Sequence, residues 1–226
     1  MGDMSIVTID KNGATSLNKT IDNSIILYAK TVDVEYSNDG PIKLNIPDIK
    51  KLIRALDCLQ TPSPTIDLIL NRNSIEYKSS STKFKFHLIE DGIIVPPNIN
   101  IQKIESFEYD TTFDLSVHSF NSILKSSTFL TDSNKIYIST ENGAVYAELT
   151  DKSKSNTDSY KSAISTGYEG SEIQKEIPFS FDLFRSCSLL KTESIKVSIN
   201  TARSIIAFDI SDGNYKLKYI STGLVC

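Results

Sequence analysis

The chain has 226 residues, of which 39% are apolar and 23% charged; this is enough for one large or two ordinary buried cores and excludes a disordered chain. No run of about 18 apolar residues occurs, so no helical membrane span is expected, and the opening Met1-Gly2-Asp3-Met4 lacks the basic-then-apolar order of a secretory signal. A net charge of −4 excludes a uniformly basic nucleic-acid binder, but not a chain that gathers its basic groups on one surface.

Strands dominate the reading. Residues 24–30 and 32–36 are β-rich, the second strictly alternating. Asn38-Asp39-Gly40-Pro41 is a turn, and residues 42–46 form a short alternating strand. It leads into a first helix, with Pro47 at the first helical position and Asp48 favourable to the dipole. A hairpin follows: residues 65–70, the turn Asn71-Arg72-Asn73, and residues 74–77. Residues 83–88 alternate cleanly. Pro96-Pro97 removes two donors and imposes an extended path, so residues 93–100 read as a connector. This divides the chain into an N-terminal domain, 1–100, and a C-terminal domain, 101–226.

Residues 107–113 read as the strand opening the second half. A second helix from Val117 through Lys125 precedes the hairpin 135–139 and 144–147, turned at Glu141-Asn142-Gly143. Residues 151–158 are polar and read as a flexible hairpin tip, and 168–171 as an exposed loop. Ser180 suits the N-cap of a third helix. Strands 194–198 and 205–208 follow, with a turn near Thr201. Ser211-Asp212-Gly213 turns into the closing strand 215–220.

A helix followed by a hairpin thus occurs three times, and such a repeat implies pseudo-symmetry, with helices on one face of the sheets. Symmetry asks for a fourth helix near residues 8–20, yet that stretch contains Gly13 and no helical stripe, so either the first helix is missing or the repeat is aligned wrongly over that quarter. In the first helix Ile49, Leu52, Ile53, Leu56 and Leu59 share the inner face, and Lys50, Lys51 and Arg54 the outer one. In the second, Val117, Phe120 and Leu124 face inward and His118, Asn121, Ser122 and Lys125 outward. In the third, Leu183, Phe184, Cys187 and Leu190 pack, leaving Arg185 and Lys191 free. Any one such helix is ordinary; the same sign on all three, in an acidic chain, points to a basic surface suited to phosphates. Cys58 and Cys187 fall in helices, and with Cys226 they make an odd, widely spaced set, read as reduced thiols of a cytoplasmic protein.

This pattern resembles the DNA sliding clamps, the family of the tailed-phage clamps and proliferating cell nuclear antigen. The likeness is carried by Ser180-Phe181-Asp182-Leu183-Phe184-Arg185-Ser186-Cys187, by Ser194-Ile195-Lys196-Val197-Ser198-Ile199, and by Asp212 through Tyr219. It implies an α+β fold of two clamp domains, each of repeated helix plus antiparallel strands, with helices lining a pore inside an outer sheet layer. It also implies a homotrimeric ring that encircles duplex DNA without sequence preference and tethers a replicative DNA polymerase after a clamp loader has opened it. If the chain is phage-encoded, it works in the host cytoplasm. Lys50, Lys51, Arg54, Lys125, Arg185 and Lys191 are then the pore residues. Val95, Pro96, Ile220 and Leu224 are candidates for the surface that takes a partner peptide, with ordinary core or edge roles equally open. Subunits would join through edge strands, with the strands near Tyr146 and Tyr77 as candidates.

No catalytic constellation is legible. His87 and His118 lack metal-ligand spacing, and there is no Gly-rich phosphate loop or nucleophile elbow, so no enzyme activity, metal or cofactor is expected. Two other readings stand: a β-rich viral structural or assembly protein, and a monomeric clamp-like processivity factor that grips one side of DNA.

Overall fold

The computed structural model describes residues 4–31, 34–37, 39–59, 66–188 and 194–224. In chain order the elements are β1 (Ser5–Asp10), β2 (Gly13–Lys19), β3 (Ile25–Thr31), β4 (Ile42–Ile46), α1 (Ile49–Asp57), β5 (Ile69–Asn71), β6 (Ser74–Lys78) and β7 (Lys83–His87). They continue with α2 (Ile101–Glu105), β8 (Thr111–Ser116), α3 (Val117–Ser126), β9 (Lys135–Glu141), β10 (Ala144–Leu149), β11 (Tyr160–Ser165) and β12 (Glu169–Gly170). Last come β13 (Ile177–Ser180), α4 (Asp182–Cys187), β14 (Ser194–Asn200), β15 (Ile205–Ser211) and β16 (Tyr215–Thr222). Two compact units result: Met1–Ile21 with Lys30–Asn98, and Asp22–Ala29 with Ile99–Cys226. The early segment counts with the second unit because Ile25 is fully buried in that unit's core and the Tyr28 hydroxyl donates to Glu105 at 3.2 Å.

In the first unit β1 lies between β2 and β4, antiparallel to both, with Thr8 opposite Thr15 and Val7 opposite Leu44. Residues 8–20, where symmetry asked for a helix, form this hairpin: Gly13 turns the chain at φ +118°, which side chains disfavour. A second sheet runs β5-β6-β7. Helix α1 starts where the Asp48 carboxylate accepts the Lys51 amide at 2.8 Å, so Pro47 stands one residue ahead of the cap rather than at the first helical position. Leu52 joins Ile46, Ile75 and Phe86 in a small core, bordered by Ile49 and Leu56. Ile53, expected inside, is 50% exposed: one residue past Leu52 it is turned about 100° away. Cys58 caps the C-terminus of α1 and is exposed. The hairpin is shorter than its sequence promised, since β5 begins only at Ile69. Residues 34–36 form no strand; the Tyr36 hydroxyl bonds the Gly40 carbonyl instead. Val32 and Asp33 lie outside the described residues.

In the second unit one set of strands runs β12-β8-β14-β15-β16-β3 and another β11-β10-β9-β13. The β9–β10 hairpin turns at Asn142-Gly143, both at positive φ, the geometry that matches strand twist. Strand β8 opens at Thr111, not at residue 107, because the Asp110 carboxylate is engaged: it accepts the Thr201 amide at 3.0 Å and hydroxyl at 2.8 Å, pinning the β14–β15 turn. Helix α3 begins at Ser116, whose hydroxyl accepts the Ser119 amide at 3.1 Å. It buries Phe120, Ile123 and Ser126, while Leu124 is only partly covered. Helix α4 buries Leu183, Phe184 and Cys187; Leu190 lies outside the described residues. Phe184 is the hub: its ring stacks on Phe120 at 5.9 Å and Phe181 at 5.7 Å and meets Phe208 edge-on at 5.0 Å. Tyr146 on β10 and Tyr77 on β6 occupy inner strands, so neither is at an edge as expected; the outer strands of these two sheets are β11 and β13, and β5 and β7.

Phe184 links α3, α4 and β15, so Phe184→Ala should cost about 3–5 kcal/mol of stability, read as a lowered urea midpoint with unchanged slope.

Candidate nucleic-acid interface

On α1 and α3 the basic side chains lie off the buried apolar face. On α1, Lys51 and Arg54 are one turn apart and exposed, as is Lys50. Arg54 also occupies the last turn, where the helix dipole favours a cation. On α3, Lys125 is exposed in the last turn. Lys51, Arg54 and Lys125 form no ion pair among the described residues. Several strand and loop lysines differ: Lys135 bonds Asp151 at 3.0 Å, Lys152 bridges Glu148 at 2.7 Å and Glu176 at 2.6 Å, and Lys161 pairs with Glu141.

Arg185 is not free. Its guanidinium donates to Asp182 at 2.8 Å and to Asn134 at 2.6 Å, and lies 4.8 Å from the Phe181 ring centre. Burial works against ionisation of Asp182, but hydrogen bonds from Arg185 and Asn134 outweigh it and hold the carboxyl below its ordinary range. The pair is close to neutral, so Arg185 offers less to a phosphate than Lys125 does. Helices α3 and α4 pack together through Phe120 and Phe184, bringing Lys125 and Arg185 onto one helix pair. Lys50, Lys51 and Arg54 belong to the first unit, and Lys191 lies outside the described residues.

The peptide-surface residues divide similarly. Val95, 82% exposed, and Pro96 belong to the first unit, and Ile220 is half-buried in the second. Leu224 lines a cavity of about 620 Å³, whose apolar wall is Ile173, Ile177, Pro178 and Ala202 and whose rim carries Glu172 and Lys175. The chain after β16 is stitched to it: the Leu224 amide donates to the Pro178 carbonyl at 2.8 Å and the Gly223 amide to the Ser204 carbonyl at 2.5 Å. A side chain at Gly223 would come within 2.8 Å of Ser204 Cβ. A second recess, of about 410 Å³, holds Lys103 and Arg203, with Arg203 over the Phe107 ring at 5.6 Å. Sequence reading missed both cations, because α2 is too short to show a period and Arg203 sits in a turn. Among the described residues no three His, Cys, Asp or Glu side chains gather as metal ligands, and no helix is long and apolar enough to cross a membrane.

No protein-family model and no curated protein matches the chain. Solved structures do. A. fulgidus PCNA, bound to the C-terminal region of FEN-1, superposes with a TM-score of 0.77 at 14% identity, covering 100% of this chain and 91% of that one. Proliferating cellular nuclear antigen from Entamoeba histolytica gives 0.72 at 17% identity, covering 99% and 90%. The H. pylori beta clamp gives 0.74 at 17% identity, and there the chain spans 60% of the larger protein. The likeness runs the length of the chain, which has the sliding-clamp fold.

The Asp182 carboxyl should titrate below its ordinary 3.8. A group depressed on folding contributes stability above its unfolded value and loses it as pH falls through the folded one. Arg185→Ala leaves burial opposed only by weaker bonds, so a carboxyl-detected NMR titration should show the Asp182 midpoint moving up; an unmoved midpoint would mean that the ion pair does not hold it.

Proposed function

We propose that this chain is a non-enzymatic sliding clamp: copies of it close into a ring around duplex DNA and hold a replicative polymerase to its template. The observation that carries this reading is the whole-length clamp fold together with Lys51, Arg54 and Lys125, exposed on helices and without an ion pair among the described residues, in a chain of net charge −4. Contacts from such groups to phosphates are sequence-independent and weakened by salt, as sliding requires. The ring is a homotrimer in this reading, since the chain matches most of a PCNA subunit and a smaller share of a beta clamp. The Leu224 cavity, apolar with a charged rim, suits a short apolar peptide from the polymerase or the loader. A one-sided monomeric factor is the second reading, favoured by the β1–β2 hairpin standing where a fourth helix was sought.

Light scattering over a dilution series separates the two. A ring gives a species near 75 kDa, three times the 25.1 kDa chain; a monomer at every concentration sinks it. A ring loaded on nicked circular DNA should also resist high salt until the DNA is linearised.

Lys51→Ala, Arg54→Ala and Lys125→Ala should each reduce the slope of log affinity for duplex DNA against log salt, by up to about 0.9 per lost phosphate contact. Arg185→Ala should change it less, because Asp182 already neutralises that charge. Equal effects from all four would contradict this assignment.

A further inference from the structure

The two units contain the same arrangement, and among the described residues one part of it has no counterpart in the first. In the second unit α3 leads to β9, β10 and β11, and β13 closes the outer edge of β9. In the first unit α1 leads to β5, β6 and β7 in the same antiparallel order, and among the described residues nothing pairs with the outer edge of β5. Aligning the hairpin turns, Arg72-Asn73 with Asn142-Gly143, sets Ile66 against Ile136, Leu68 against Ile138 and Leu70 against Thr140. In the second unit these positions are 0%, 0% and 7% exposed; in the first they are 37%, 42% and 39%.

The difference has a visible cause. Phe179 of β13 pairs with Ile136 and Ile177 with Ile138, and the α4 side chains Leu183 and Phe184 share their core cluster. Among the described residues the counterparts Ile66 and Leu68 have neither cover, and the ladder stops short of them at Ile69. An alternating apolar row on an open edge is a template for another strand. Leu70 also opens onto a recess of about 240 Å³ walled by Ile42, Leu44 and Leu88, with room for an apolar side chain. Exposed Arg72 stands at its rim, where an antiparallel donor would bring its N-terminal end.

We infer that β5 is a docking edge for another polypeptide, which adds an extended strand with alternating apolar residues, a carboxylate ahead of it and a short amphipathic helix behind it. The chain's own element of this kind, β13 with α4, shows the pattern: Glu176, then Ile177, Phe179 and Phe181, then Leu183, Phe184 and Cys187. It is already used against β9. The inference rests on the internal comparison and not on the DNA role.

The test is hydrogen exchange on the full chain with a synthetic peptide of residues 175–188 as model donor. The same segment is also joined ahead of residue 1 by a flexible linker, which raises its local concentration to about the millimolar range. Exchange at residues 68–71 should slow at least tenfold with the donor, and Leu68→Asp should abolish the slowing. Ile69→Asp, on the opposite face, should leave it within twofold. Both positions are exposed, so neither variant should unfold the chain. No slowing in either format overturns the inference, as does exchange at β5 already as slow as at β9 in the chain alone. A self-association abolished by Leu68→Asp would overturn it in favour of a second copy. None of these outcomes bears on the salt dependence of DNA binding, so the two readings fail separately.

Discussion

Helices of six to ten residues do not hold their shape in water, because the cost of the first turn is barely recovered over such lengths. Those of this chain exist because each lays one apolar stripe on a sheet. Everything else follows from that burial. Phe120, Ile123 and Phe184 occupy the inward faces of α3 and α4, and the charged side chains of these helices are left the outward ones. The fold therefore spends its stability on one side of each helix and presents charge on the other at little cost.

What that charge can do depends on whether it is already answered. A surface ion pair contributes about 1 kcal/mol or less to stability, yet it can cancel most of a side chain's field toward a phosphate. Lys152 between Glu148 and Glu176, and Arg185 against Asp182 and Asn134, are answered in this way. Among the described residues Lys51, Arg54 and Lys125 are not. Counting cations on helix faces thus overstates the basic surface, and pairing sorts the residues that matter.

Much of this was legible in the sequence, for identifiable reasons. The strands read at 42–46, 83–88 and 135–139, observed at 42–46, 83–87 and 135–141, alternate or are flanked by strong turn signals, and Asn142-Gly143 admits few other conformations. The inner face of α1, apart from Ile53, and Leu183, Phe184 and Cys187 of α4 followed from three-and-four spacing. Other features depend on distant partners. That Arg185 is held by Asn134 as well as by its neighbour Asp182 involves a residue 51 positions away. That residue 107 is not yet strand depends on Asp110 holding Thr201 across the fold. Inner and outer strands were confused at Tyr77 and Tyr146 because period-2 alternation reports which face is buried and says nothing about which neighbour lies beside it. The cavity at Leu224 was only half legible: an apolar residue there is visible, but the amides of residues 223 and 224 that tie it to Ser204 and Pro178 are not.

The halves of the molecule also show that a repeat in sequence need not be a repeat in stability. The second unit centres on Phe184, whose ring meets those of Phe120, Phe181 and Phe208, and its sheet edge at β9 is closed by β13. The first has a core of Ile46, Leu52, Ile75 and Phe86 and a hairpin whose apolar row 66–70 is more than a third exposed. With less apolar area removed from water, at about 25 cal/mol per Å², the first unit has the smaller hydrophobic stabilisation, and its outer hairpin is the natural place for local opening. The same shortage that weakens β5 leaves its edge available, so low local stability and capacity for a further strand are two consequences of one missing layer.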